Sequence, residues 1–566
     1  MLARDPGGGH LSARSADLAF VNGAVYTVDA ARRWAQAVAV EGRRIAAVGT
    51  DERIRERVGP RTDVIDLRGR MLLPGFHDAH VHPPSAGLEM LRCNLTDAFS
   101  LAEYERIIAS YAAEHPEAEW ILGGGWSMGL FLGGNPTKDV LDRLLPDRPA
   151  FLTSRDGHTA WVNSRALELA DLTEATLDPP DGVIVRDDRG RPAGALHEGA
   201  MSLVERFVPE DTLEDWVAGL RLAQGYLHAL GITAWNDAIV GGPYPTLEAY
   251  RHLDERGELT ARVVGSLWWD RHRGEEQIDE LLVARERGRV DRFAATNVKI
   301  MQDGIVENFT AATLAPYLDE RGRPTDNLGK SFIDPEALKG YVTRLDAEGF
   351  QVHFHALADR AVREALDAIE AAGAANGPRD LRHHLAHIQI VHPDDVPRFR
   401  RHGAVANAQP LWAQNEPQMV ELTIPFLGPE RSAWQYPFGT LVRAGATLAM
   451  GSDWPVSSAN PLEEIHVAVN RAGWPDQPHA PGERAALEPF LPEERLDLPT
   501  AIAAFTMGSA YADHLEGTTG SIEEGKEADL VVLDRNLFEH PAEEIHGARV
   551  QLTLVAGERV FAAPDL

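Results

Sequence analysis

From Asp17 the chain alternates small apolar and polar residues. "DLAFVNGAVYTV" and "AQAVAVEGRRIAAVG" run across the turn dipeptides Asn22-Gly23 and Glu41-Gly42, the period of short antiparallel hairpins. The same texture returns near the other end, where "GSIEEGKEADLVVLD" and "VQLTLVAGERVF" place strands around Gly525 and Gly557. Two strand-rich ends around several hundred residues of different pattern predict one small β-sandwich built from residues 17–70 and 518–562. Residues 1–16 read as a disordered arm. Between the ends, eight short apolar runs alternate with longer stretches of helical period: "MLLPGFHDAHVH" at 71, "GITAWNDA" at 231, "ARVVGSLWW" at 261, "NVKIMQDG" at 297, "FQVHFHAL" at 350, "HHLAHIQIV" at 383, "AVANAQP" at 404 and "ATLAMGSDWP" at 446. "ADRAVREALDAIEAAGA", with Ala and Leu three and four apart, typifies the spacers. Eight strand–helix units over 71–517 predict an α/β fold, a TIM (β/α)8 barrel, whose chemistry sits at the carboxyl ends of the strands.

Residues from about 90 to 225 do not fit the repeat. They form a long insertion after the first strand, with "GGGWSMGLFLGG", "SRDGHTAWVNSRALELA" and a hairpin pattern in "GVIVRDDRGRPAGAL", and are expected to act as lid and substrate wall. The triple glycine Gly123 to Gly125 is followed by no Lys-Ser/Thr pair, so it reads as a turn or a close backbone approach and not as a phosphate loop.

The candidate chemistry begins in "LLPGFHDAHVHP". Side chains two apart on a strand share a face, so His80 and His82 can grip one ion, although the pair alone equally describes two half-exposed imidazoles at a strand end. Four other strand ends each add one ligand type: Lys299, His355, His387 and Asp453. A lysine inside an apolar strand is heavily desolvated unless paired, neutralised or modified. Imidazoles and carboxylates suit zinc or a similar divalent ion. Four further histidines read as structural. His77 is expected to hydrogen-bond, His353 to be buried and satisfied, and His383 and His384, at the start of their strand, to be solvated. Trp126, Arg155, His158 and Trp161 in the insertion could line the pocket or simply pack. Gln409, Trp412 and Trp454, ending the seventh and eighth strands, are placed to touch substrate, and so many indoles favour an apolar or aromatic substituent.

Composition narrows the partners. The 566 residues are 44% hydrophobic, and 55 basic against 86 acidic residues leave a net charge of −31, which argues against nucleic acid or an anionic membrane as partner. A small neutral or cationic molecule fits better, and a homodimer is compatible with the chain. A single cysteine, Cys93, excludes an intrachain disulfide, and no apolar run is long enough to span a membrane. The start "MLARDPGGGHLSARS" lacks the charged and apolar regions of a secretory signal, so a cytoplasmic location is expected and the sequons at Asn94 and Asn308 carry no weight.

"PGFHDAHVHP", "VKIMQDG", "HALADRA", "HIQI" and "GSDWP" resemble the metal-dependent amidohydrolase superfamily. "SRDGHTAWVNSRAL", "GALHEGA" and "GSIEEGKEADLVVLD" resemble its amidohydrolase-3 branch, which includes N-substituted formamide deformylases. The likeness runs from about 17 to 562. It implies that His80 and His82 hold the more buried of two metal ions, most simply zinc. It further implies that Lys299 is an N6-carboxylated bridging lysine, that His355 and His387 hold the second ion, and that Asp453 binds metal and shuttles the proton. It also favours His158 as a catalytic group and puts Glu198 near the same wall. "HALADRA" departs from the more usual "HAIGDRA". The implied reaction is hydrolysis of a non-peptide C–N bond in a small molecule, with an ester, lactam or amidine-like bond as alternative. A non-catalytic scaffold would be expected to have lost ligands.

Overall fold

In the computed structural model, which describes residues 15–477 and 487–564, eight parallel strands form one sheet. They are β1 (Phe76–Val81), β2 (Ile232–Val240), β3 (Arg262–Trp268), β4 (Phe293–Met301), β5 (Gln351–Ala356), β6 (His384–His387), β7 (Val405–Ala408) and β8 (Thr447–Met450), each paired with the next in chain order. The ends of the sheet meet just past the strands, where the Asp453 amide donates to the His80 carbonyl at 2.7 Å and the His82 amide to the Trp454 carbonyl at 3.0 Å. Gly451 makes this closure possible, because a Cβ there would lie 2.4 Å from the His80 nitrogen. The architecture is a nearly closed TIM-like barrel. Its crossover helices bury one stripe, as in Asp359–Asn376, where Ala361, Val362, Ala365, Leu366, Ala368, Ile369 and Ala372 face the sheet.

The apolar run from Met71 is not one strand. Met71–Pro74 joins a terminal sheet, pairing with Leu530–Leu533 and Ala24–Tyr26, and only Phe76–Val81 enters the barrel. Gly75 stands between them, where a Cβ would collide with the Thr233 side chain. The terminal segments form a four-stranded sheet (Leu18–Val21, Ala37–Glu41, Arg44–Gly49, Asp63–Asp66) and a six-stranded one that adds Trp34–Ala35, Val550–Val555 and Glu558–Ala562. Phe20, Val38, Ile45, Leu72, Val532 and Leu552 share one core between them. Of the expected arm, residues 1–14 lie outside the described residues, whereas Ala16 is buried and its amide donates to the Arg57 carbonyl.

The insertion builds its own six-stranded sheet, in the order Gly182–Arg186, Pro192–Glu198, Thr159–Val162, Ala150–Ser154, Ile121–Trp126, Cys93–Asn94. Its first two members are the hairpin foreseen in "GVIVRDDRGRPAGAL". The triple glycine is a close approach within a strand: a Cβ on Gly123 would sit 2.1 Å from the Cys93 carbonyl oxygen. The floor of the barrel is covered by Ser509–Ala512 and the residue after it; Gln351 Nε2 donates to the Ala512 carbonyl at 2.8 Å. That cover overturns the solvated reading of His383 and His384. Both are buried, His383 accepting from the Val352 amide at 2.9 Å and His384 lying against His353 at 4.0 Å between ring centroids. No helix among the described residues is long and apolar enough to cross a membrane.

Candidate metal centre

At the carboxyl ends of the strands a cleft of about 2010 Å3 opens between the barrel and the insertion sheet, with His80, His82, Lys299, His355, His387 and Asp453 on its floor. His80, in β1, and His82, two positions on and just past the strand's end, turn the same way. Their Nε2 atoms lie 3.2 and 2.9 Å from Asp453 Oδ1, and one ligand atom from each of the three residues falls within 4.8 Å of the others. His387 Nδ1 is 3.8 Å from Asp453 Oδ2, and its ring lies 4.4 Å from that of His355 and 4.8 Å from that of His80. The donor set suits a divalent cation: among the described residues Asp453 Oδ1 and His387 Nδ1 are buried without a hydrogen-bond partner, which is costly unless a ligand completes them.

Charge states agree with that use. Burial, reinforced by Lys299, pushes His80 down to about 3, and burial likewise holds His355 and His387 well below the usual range, so all three present neutral lone pairs. Burial alone would raise Asp453, but His80, His82 and His387 outweigh it and keep the carboxyl ionised. Lys299 is pushed down to about 7 by burial despite the opposing pull of Asp453, so near neutrality a large share of it is free amine.

Several of these side chains are held by groups that the sequence reading passed over. Asp303 at the end of β4 receives the Leu357, Ala358 and Ala312 amides and lies 3.1 Å from His355 Nδ1, fixing that ring. The motif "VKIMQDG" contained it, but nothing local distinguished it from a surface aspartate. Asp78 accepts from the Ser452 hydroxyl at 2.6 Å and from its amide at 3.0 Å, tying the end of β8 to β1. His353 is buried and satisfied, as expected, and touches His80 Nδ1 through its Nε2 at 2.8 Å. His387, Asp453 and Glu198 all have left-handed backbones, with φ of 77°, 56° and 51°, a strained geometry for non-glycine residues that is typical of functional positions.

His158 and Glu198 form a pair on the insertion wall: Nδ1 to Oε1 is 2.9 Å, and Glu198 also accepts from Thr310 Oγ1 at 2.9 Å. Burial works against the charge on His158, but Glu198 prevails and raises it to about 9, while Glu198, itself pushed upward by burial, is drawn down to about 2 chiefly by His158. The pair is ionic at neutral pH, and the His158 ring sits 5.4 Å from that of His355.

The remaining expectations divide. Arg155 and Trp412 line the cleft, with Trp412 stacked on His387 at 5.4 Å. Trp126 and Trp161 do not reach the cleft wall. Both are fully buried, 6.2 Å apart, with their indole N–H groups donating to the Leu152 and Thr137 carbonyls, because they face the interior of the insertion sheet. Trp454 turns away and stacks on Tyr226 at 5.0 Å. Gln409 is wholly buried and acts on the backbone, its Oε1 accepting from the His387 amide at 2.8 Å.

Residues 63–561 match the model of a family described as the amidohydrolase family. The chain is 31% identical over 559 residues to Protein LONG AFTER FAR-RED 3 of Arabidopsis thaliana, covering 96% of this chain and 92% of that one. It is 29% identical over 566 residues to an N-substituted formamide deformylase of Arthrobacter pascens, covering 96% and 97%. Among solved structures, an uncharacterized metal-dependent hydrolase from Pyrococcus furiosus superposes with a TM-score of 0.68 at 26% identity, covering 92% of this chain and 99% of that one.

Proposed function

As the match over residues 63–561 shows, this chain belongs to the amidohydrolase family of metal-dependent hydrolases, and we propose that it hydrolyses a non-peptide C–N bond, in the first instance an N-substituted formamide, in a small molecule. The observation that carries the reading is the convergence of His80, His82 and Asp453 to within 4.8 Å, with His355, His387 and Lys299 on the same cleft floor. The formamide arm is supported by the likeness to the Arthrobacter pascens enzyme. In this reading His80, His82 and Asp453 would hold one zinc ion and His355 and His387 a second, with Lys299, carboxylated, as a further ligand. A free amine in a buried site is the form that captures carbon dioxide, and the resulting carbamate is an anion suited to lie between cations.

A divalent cation here supplies Lewis-acid polarisation of the carbonyl and brings the pKa of a water toward about 7. Asp453 accepts the proton from the attacking water and passes it to the departing nitrogen, so that the water oxygen bonds to carbonyl carbon while the C–N bond breaks to give acid and amine. In this reading His158, which lines the cleft, offers its second ring nitrogen to the substrate. With Nδ1 held by Glu198, that N–H donates to the developing oxyanion. Trp412, stacked on His387, offers an apolar face to the nitrogen substituent.

The test is amine release from a panel of N-formyl, N-acetyl and N-aminoacyl amines, with esters and lactams alongside, using enzyme loaded with zinc and analysed for metal content. Preferential turnover of formamides at about two zinc ions per chain is the expected result. Turnover confined to esters, or activity surviving the removal of all metal, would refute the proposal.

A further inference from the structure

Beneath the cleft floor a continuous line of polar groups crosses the barrel interior. His80 Nδ1 meets His353 Nε2 at 2.8 Å, His353 Nδ1 meets Ser266 Oγ at 2.9 Å, and Ser266 Oγ donates to Asn236 Oδ1 at 2.8 Å. Asn236 Nδ2 donates to Asp513 Oδ1 at 2.6 Å, and the other Asp513 oxygen is 2.6 Å from His77 Nε2. All six side chains are buried. Asp513 belongs to no barrel strand. It follows the short helix Ser509–Ala512 that covers the floor.

Only one direction of donation satisfies every member. A carboxylate can only accept, so Asn236 must present its NH2 to Asp513 and its carbonyl to Ser266. Ser266 has one proton and gives it to that carbonyl, so its oxygen must receive the N–H of His353 Nδ1. A neutral imidazole carries one N–H. His353 Nε2 is therefore an acceptor, His80 must donate through Nδ1, and the lone pair of His80 is left on Nε2, the nitrogen 3.2 Å from Asp453 Oδ1.

We infer that Asp513, through Asn236, Ser266 and His353, sets the tautomer of His80 and so turns its Nε2 lone pair toward the metal site. Asp513 is a positioning residue and not a catalytic one. The inference rests on the proposed role of His80 as a metal ligand. A carboxylate that orients a ligating histidine directly is a familiar arrangement; here it acts across three intervening side chains, from the segment that plugs the opposite end of the barrel.

Three variants and two readouts test this: Ser266→Ala, which removes the only acceptor for His353 Nδ1 among the described residues, Asp513→Leu, and Asp513→Asn. Asparagine can still accept from Asn236 and turn its NH2 to His77, whose Nδ1 has no partner among the described residues and allows the other tautomer. The first readout is the 15N imidazole spectrum of the metal-free full-length protein. His80 and His353 are expected as single Nδ1–H tautomers in the wild type and in Asp513→Asn, and as mixtures in the other two variants. The second is zinc affinity by competition with a chromogenic chelator, expected to weaken about 10- to 100-fold in Ser266→Ala and Asp513→Leu and to stay near wild type in Asp513→Asn. Should Asp513→Leu fail to fold, Ser266→Ala, one oxygen smaller, decides alone. Unchanged spectra and affinity in Ser266→Ala would overturn the inference, as would equal weakening in Asp513→Asn and Asp513→Leu. A wild type that binds no zinc refutes the hydrolase proposal instead, and the metal-free spectra still decide the tautomers.

Discussion

Glu198→Gln changes one charge and almost no shape. Glu198 Oε1 receives both His158 and Thr310, and a glutamine oxygen can receive the same two donors. In the wild type, burial acts to lower the His158 pKa, and Glu198 overrides it to reach about 9 against an ordinary 6.5, with Asp156 and Asp453 helping less. Without the carboxylate, burial is opposed only by those more distant charges, so the value should return to about 6.5 or below. At pH 8 the imidazolium fraction then falls from about 0.9 to about 0.03, roughly a 30-fold loss of the donor proposed for the oxyanion. The sign is definite: a raised pKa means that the charged form persists through neutrality and is lost as the pH rises through about 9, and the variant loses it two or more units earlier. Two measurements check this, the His158 titration in 15N-labelled metal-free protein and kcat/KM between pH 6 and 10 at matched zinc content. The alkaline limb should move from near pH 9 to near pH 6.5, with little loss of rate at the acidic end. If His158 titrates near 9 in both proteins, the ion pair does not control it. If His158 shifts and the kcat/KM profile does not, His158 has no part in the rate-limiting chemistry.

The other expectations concern the cleft floor. Asp453→Asn keeps an oxygen for a cation but accepts no proton at neutral pH; it should fold, retain most of its zinc and lose about 10² to 10⁴ in kcat, and a kcat within a few-fold of wild type at equal metal content would refute the proton-shuttle role. Lys299 should incorporate 13C label from bicarbonate as a carbamate carbon signal in zinc-loaded protein, and Lys299→Ala should lose that signal, one or both metal ions and nearly all activity; a fully active Lys299→Ala would exclude the bridging role.

How far the sequence reached can be read residue by residue. Strand ends are local properties: a period of two fixes which neighbours share a face, so His80 and His82 could be paired on the page, and their convergence on Asp453 follows once eight such strands close in order. Lys299 was conspicuous because an ammonium in an apolar strand violates a local rule. The aromatic residues carried no such signal. Trp126, Trp161 and Trp454 differ from Trp412 only in what lies across from them, and that is settled by how a sheet built from residues 93–198 packs on itself and on the barrel. Asp303 and Asp513 were equally hidden, since an aspartate among 86 acidic residues becomes an orienting group only when a distant strand or plug brings a histidine or an amide within about 3 Å. The sequence by itself thus determined the identity and strand position of each candidate ligand, because both depend on contacts one or two residues away. The tertiary structure alone decided which nitrogen of each imidazole is free, which indole meets the cleft, and which carboxylates are buried. Those are settled by hydrogen bonds and packing between segments far apart in the chain, in one case 436 residues between His77 and Asp513.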